Sequence, residues 1–249
     1  MSYFEFDGKN VFYQEIGDGR PLLLLHGNTA SSKMFEPVIE MYTGIRKVVL
    51  IDFLGHGRSQ RLERFPADLW FYESQQVVKL IEHLRYDRVD LIGSSGGALV
   101  AINVALERPD LVGKVVADSF EGEVPLEEFV ANAEEERRLS KEDADTRAFY
   151  EFNHGDGWDS VVDNDTRAVI EHANSLGRFF HRPFETECEI LMTGSETDEF
   201  VYSGFYEKTY SKLLKGAKNG KVRLFNEGGH PAMLSNAKPF FEAVRQFLG

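Results

Sequence analysis

Two glycines bracket Ser95 at a distance of two residues each, in Gly93-Ser94-Ser95-Gly96-Gly97. The apolar run Val89-Asp90-Leu91-Ile92 precedes them, and Ala98-Leu99-Val100-Ala101-Ile102 follows. The first run reads as a buried strand and the second as a buried helix, which leaves Ser95 on the turn between. A turn that tight strains the backbone of the residue at its tip and leaves the positions two residues away without room for a Cβ. Placing Ser94 at the tip would put the bulky Ile92 in the first of those positions, so Ser95 is the hydroxyl pushed outward. Standing alone, Gly-Ser-Ser-Gly-Gly would be no more than a flexible loop.

A serine hydroxyl is a poor nucleophile at neutral pH and needs a base, usually a histidine whose tautomer a carboxylate fixes. Both partners follow in the chain. Asp198 lies in Gly194-Ser195-Glu196-Thr197-Asp198-Glu199-Phe200, just after an apolar run, and His230 stands behind Gly228-Gly229 after the last one. Glu196 and Glu199 are nearby alternatives to Asp198, and Asp118 or Glu121 more distant ones. Negative charge developing on an acyl oxygen needs fixed donors, which backbone N–H groups supply. Gly96, directly after the nucleophile, and Asn28, after His26-Gly27, are the candidates, with Thr29 as a substitute for Asn28.

These loops need a scaffold that brings strand ends together. Tyr3 to Phe6 and Val11 to Ile16 alternate as two antiparallel edge strands joined at Asp7-Gly8-Lys9-Asn10. Leu22 to Leu25 is apolar on both faces, as a central parallel strand covered on each side would be. Ser31 or Ser32 is positioned to cap a helix carrying Met34, Phe35, Val38, Ile39 and Tyr42 on one side. Lys47 to Ile51 is the next strand, and Asp68 is expected to cap a helix running to Leu84. Lys114 to Ala117, Glu189 to Thr193 and Lys221 to Phe225 complete the strands, with helices over Phe205 to Leu214 and Pro239 to Leu248. The alternation predicts a mainly parallel α/β sheet covered on both faces.

Between Phe120 and Phe184 no strand is evident; Leu126 to Leu139, Ala144 to Phe152 and Thr166 to Leu176 read as helices. The predicted organisation is a core of residues 1–118 and 185–249 with a small helical cap, 119–184, inserted before the last two strands, over the sheet edge where ligands bind in such folds. No internal repeat or interdomain linker breaks the chain.

The chain has 249 residues and a formal net charge of -13. That charge argues against nucleic acid or anionic membrane as partner and for small molecules. The acidic run from Glu121 to Glu136 reads as a solvated helix face, or else as a pocket rim that disfavours anions. One cysteine, Cys188, allows no internal disulfide and fits the cytoplasm. No secretory signal is evident at residues 1–8, and no run is long and apolar enough for a membrane span. No His, Cys and carboxylate cluster stands at ligand spacing, so neither metal nor organic cofactor is expected. Oligomeric state is not legible.

Over nearly its whole length the chain resembles the α/β-hydrolase superfamily. The resemblance rests on the His26-Gly27 loop, Asp52-Phe53-Leu54-Gly55-His56-Gly57-Arg58-Ser59, the Gly93 to Gly97 turn, Asp198 and Gly229-His230. It implies that the Asp52 to Ser59 turn is structural, His56 included, and that a serine at the turn excludes the aspartate-nucleophile members, haloalkane dehalogenases and epoxide hydrolases. One departure is that the acid stands four residues beyond Gly194, where three is commoner. The implied activity is hydrolysis of a small, largely apolar and uncharged carboxylic ester by Ser95, His230 and Asp198, with Phe53, Phe120, Trp158, Val201 and Met233 as candidate substrate contacts. Cleavage of thioesters, lactones, amides or carbon–carbon bonds, and slow or non-enzymatic ligand reception, are the alternatives.

Overall fold

The computed structural model describes residues 2–249. In chain order, β1 (Ser2–Phe6), β2 (Lys9–Ile16) and β3 (Pro21–Leu25) are followed by a 3-10 turn (Ser32–Phe35), α1 (Ile39–Thr43), β4 (Lys47–Asp52) and α2 (Leu69–Leu84). Then come β5 (Val89–Ser94), α3 (Gly96–Glu107) and β6 (Val112–Asp118). Three helices follow, α4 (Glu127–Glu142), α5 (Ala144–His154) and α6 (Trp158–Ser175). The chain closes with β7 (Thr186–Ser195), α7 (Phe205–Leu213), β8 (Ala217–Phe225), α8 (Ala232–Ser235) and α9 (Ala237–Leu248).

All the strands form one sheet of order β1-β2-β4-β3-β5-β6-β7-β8. The β1/β2 and β2/β4 pairs are antiparallel and the rest parallel. The four-leucine run explains the layering. Leu23 and Leu25 join one core, with α2 and α3, while Leu22 and Leu24 join the other, with α1 and α9. A strand with both faces buried must be apolar at every position, and each such side chain contributes about 2 kcal/mol of burial free energy. The carboxyl ends of β5, β7 and β8 consequently fall along one edge of the sheet, which is where Ser95, Asp198 and His230 leave it.

Several elements depart from the expectation. The helix predicted through Met34 and Tyr42 is two short pieces, because Pro37 has no N–H to continue the ladder. Met34, Phe35, Val38 and Tyr42 are buried all the same, and Ile39 partly so. Ser31, one of the two serines expected to do so, caps the first piece. Asp68 makes no cap bond; its carboxylate instead accepts from His181 Nε2 at 2.6 Å. The strand β8 starts four residues before the apolar run Lys221 to Phe225, since an edge strand with its outer half wet is mostly polar. Helix α6 begins at Trp158, well ahead of Thr166, because tertiary burial of Val161, Val162 and Asp165 overrides weak local propensity. Glu127, Glu128, Glu134, Glu135 and Glu136 lie exposed along α4, whereas Glu121 does not join that face. None of the described helices is long and apolar enough to cross a membrane.

Candidate active site

Ser95 sits between β5 and α3 at φ +56°, ψ −123°, a conformation that L-residues adopt only under constraint. Its amide donates to the Asp118 carbonyl at 2.7 Å, fastening the turn to β6. The glycines around it are obligatory: a Cβ on Gly93 would lie 2.0 Å from the Gly97 carbonyl oxygen, and one on Gly97 2.1 Å from the Leu25 carbonyl oxygen. Neither neighbour is a side chain that could swing away.

The turn aims Ser95 at the loop after β8. Ser95 Oγ lies 2.9 Å from His230 Nε2, and His230 Nδ1 lies 2.8 Å from Asp198 Oδ2. With Asp198 ionised, Nδ1–H donates to the carboxylate, and Nε2 is left to accept from the serine hydroxyl. Burial alone would raise the Asp198 pKa, but hydrogen bonds from His230, the Tyr206 hydroxyl at 2.6 Å and the Phe200 amide hold it below the usual carboxylate value. The Phe200 ring meets the imidazole edge-on, 5.0 Å between centroids.

The other carboxylates considered from the sequence lie elsewhere around this histidine. Glu199 accepts from the His230 backbone amide at 3.0 Å and so sets the loop, not the ring. Asp118 is fully buried, accepts from the Met233 amide at 2.9 Å and from Thr193 Oγ1 at 2.7 Å, and burial pushes its pKa up to about 6. Glu196 points to solvent. Asn236, whose amide group bonds Ser195 Oγ and the Glu227 carbonyl, ties the two ends of the loop to β7.

Gly96 and Asn28 both border the same cavity as Ser95. The Gly96 amide is the first of α3 and has no acceptor within the helix. Among the described residues, nothing accepts from the Asn28 amide. The Asn28 side chain is clamped at both ends: Trp70 Nε1 of α2 donates to Oδ1 at 3.1 Å, and Nδ2 donates to Asp165 Oδ2 of α6 at 2.8 Å. Thr29, the substitute for Asn28, uses its hydroxyl on the Asn28 carbonyl. The same loop is stitched to α5 by Ser31, which bonds Asn153, and by the Thr29 carbonyl, which His154 Nε2 contacts at 3.0 Å. Buried His26, His56 and His154 cluster behind it. His56 does not line the cavity that Ser95 borders and makes no hydrogen bond through its ring nitrogens among the described residues.

The cavity has a volume of about 520 Å³, the size of a small-molecule site. Of the contacts expected from the sequence, Phe120 and Val201 line it. The other three require correction. Phe53 is fully buried against His26, and Met233 is buried under the sheet beside α9. Trp158 stacks on Tyr150, which lines the cavity in its place. Trp70, Phe149 and Arg137 also line it, as does Glu121 in the loop after β6, the first residue of the acidic run read above as a solvated face or a pocket rim. No local pattern marks the first three, since they come from helices whose facing depends on tertiary packing.

A protein-family model described as the alpha/beta hydrolase fold matches residues 20–155. The human serine hydrolase BPHL is 26% identical over 97% of this chain and 84% of its own length. The proline iminopeptidase of Clostridioides difficile is 30% identical over 81% of this chain and 72% of its own. Among solved structures, the enol-lactonase of Burkholderia xenovorans superimposes with a TM-score of 0.78 at 16% identity, covering 99% of both chains.

Proposed function

The chain belongs to the alpha/beta hydrolase fold family, and from that premise we propose that it is a serine hydrolase cleaving a small carboxylic ester with a largely apolar body. The observation that carries this reading is the run of contacts from Ser95 Oγ to His230 to Asp198, at 2.9 and 2.8 Å, opening on the cavity. In the proposed reaction Ser95 Oγ attacks the ester carbonyl carbon while His230 Nε2 takes its proton. Asp198 holds the tautomer and stabilises the imidazolium. The oxygen that becomes negative is met by the Gly96 and Asn28 amides. Collapse expels the alcohol, which leaves with the proton from His230, and Ser95 carries the acyl group. Water then attacks that acyl carbon, giving its proton to His230; the acid departs and Ser95 recovers its hydrogen.

The same reading makes α4, α5 and α6, within residues 119–184, a cap whose contacts with the 26–32 loop help set the donors. It also places the chain in the cytoplasm, in keeping with its one buried, unpaired cysteine. The chemistry would serve amides and lactones equally, as the names of the iminopeptidase and enol-lactonase relatives suggest. The test is labelling with a fluorophosphonate, mapped by mass spectrometry, alongside turnover of matched esters, amides and lactones. Label on Ser95 with sustained turnover of esters fits the proposal. Label elsewhere, or none, overturns it, and a few turnovers followed by a tightly held ligand would point to a receptor.

A further inference from the structure

The charges on the cavity wall are unequal. Arg137 is the one lysine or arginine among the described residues that line the cavity, and its charge is already answered. Its guanidinium lies 3.7 Å from the buried Asp165 carboxylate and contacts the Tyr150 hydroxyl at 3.3 Å. Three carboxylates line the same space: Glu121, Asp145 and Glu199. Glu199, one oxygen of which accepts from the His230 amide, and Asp145 are both exposed to solvent. Glu121 differs from both in being partly buried. One of its oxygens, Oε2, accepts from the Leu126 amide at 2.7 Å, and among the described residues Oε1 has no hydrogen-bond partner.

Its placement is rigid. Glu121 follows β6 directly, in a loop fixed by the Ser119 amide on the Thr193 carbonyl at 2.8 Å and by the Phe120 amide on the Tyr210 hydroxyl at 3.1 Å. Glutamine, of the same length, could take the Leu126 amide as well, so anchoring the start of α4 does not require a charge. Burial pushes the Glu121 pKa up to about 7, opposed by the Leu126 amide and by the nearby His230. A carboxylate kept in a partly dry wall without a cation is expensive unless something else brings one.

Resting on the hydrolase reading above, we propose that Glu121 is a specificity-determining residue whose free Oε1 receives a protonated amine carried by the substrate. The substrate class is then an ester, or an amide, with an apolar body and one ammonium group, in place of the uncharged ester expected from the sequence. Substrates with a second carboxylate would be rejected by the same wall.

The test compares matched esters at pH 8. Benzyl esters of butanoic acid, 3-aminopropanoic acid and succinic acid place neutral, cationic and anionic groups on the acyl side; propyl and 2-aminoethyl butanoate do so on the alcohol side. The wild-type chain should favour the amine-bearing ester of at least one pair by about 10-fold or more in kcat/KM, as a desolvated charged hydrogen bond would give, and disfavour the succinate. In Glu121→Gln, which keeps an acceptor for the Leu126 amide, the amine-to-neutral ratio should fall toward one. Thermal unfolding of both proteins checks that the fold is intact. Equal rates on neutral and amine esters, or an undiminished preference in Glu121→Gln, overturn the role of Glu121 while turnover of the neutral esters leaves the hydrolase reading standing. If Ser95 takes no fluorophosphonate and no ester is cleaved, both fall.

Discussion

Asp118 touches Ser95 and the His230 loop at once: its carbonyl oxygen accepts from the Ser95 amide at 2.7 Å, and its carboxylate accepts from Met233, three residues past His230, at 2.9 Å. One buried residue at the end of β6 therefore sets the spacing between two loops that are distant in sequence. Replacing it with alanine leaves the Met233 amide and the Thr193 hydroxyl without their partner. Asp118→Ala should lose about 1–3 kcal/mol of stability, and Asp118→Asn less, because it keeps an acceptor for Met233. Denaturant unfolding of the two variants checks this; equal losses would contradict it.

Asp198 and Glu199 are adjacent but do different things, one holding the imidazole and the other the backbone. Asp198→Asn should reduce kcat by about 10⁴-fold, since the amide cannot hold the required tautomer. Glu199→Gln preserves an acceptor for the His230 amide and should cost no more than about 10-fold. Steady-state kinetics on one neutral ester decides; comparable losses would mean that Glu199 also acts on the ring.

The clamp on Asn28 predicts that α6 affects chemistry more than binding. Asp165→Ala removes the acceptor of Asn28 Nδ2 and the counter-charge of Arg137. It should lower kcat by about 10- to 100-fold, a fraction of the loss from deleting a whole oxyanion donor, with a smaller change in KM. Asp165→Asn keeps an acceptor for Asn28 and should recover part of the loss. A rise in KM at constant kcat would assign Asp165 to binding instead.

His154 is buried, and burial lowers its pKa from 6.5 to about 4. The folded state resists a proton that the unfolded chain accepts, so this group's stabilisation is full above about pH 6.5 and is lost as pH falls toward 4. The lost contribution is about 3 kcal/mol. Buried Asp118 and partly buried Glu121, whose pKa values are raised, act in the opposite sense over an overlapping range. The stability difference between wild type and His154→Gln isolates the histidine: it should shift by about that amount in the variant's favour between pH 7.5 and pH 4, measured by denaturant unfolding. A difference independent of pH would refute the assignment.

How much was legible depended on whether a signal was local. The Leu22 to Leu25 run announced a strand buried on both faces, and the tight glycine spacing around Ser95 announced its turn, because both constraints act within a few residues. Asp68 misled, since the cap pattern is local but its carboxylate found His181, more than a hundred residues away. Trp158 and Met233 misled for the same reason: an aromatic or apolar side chain reveals that it will be buried, not against what.

The sequence by itself determined the alternation of strands and helices, the chain's acidity and the chemical types of Ser95, Asp198 and His230, all of which follow from periodicity, composition and residue identity. Only the tertiary structure decided which carboxylate reaches His230, that Asp165 and Trp70 hold Asn28, and that Glu121 leaves an oxygen free in the cavity wall. Those relationships depend on distances between elements remote in the chain, which are set by how the two cores pack against the sheet and not by any neighbouring residue.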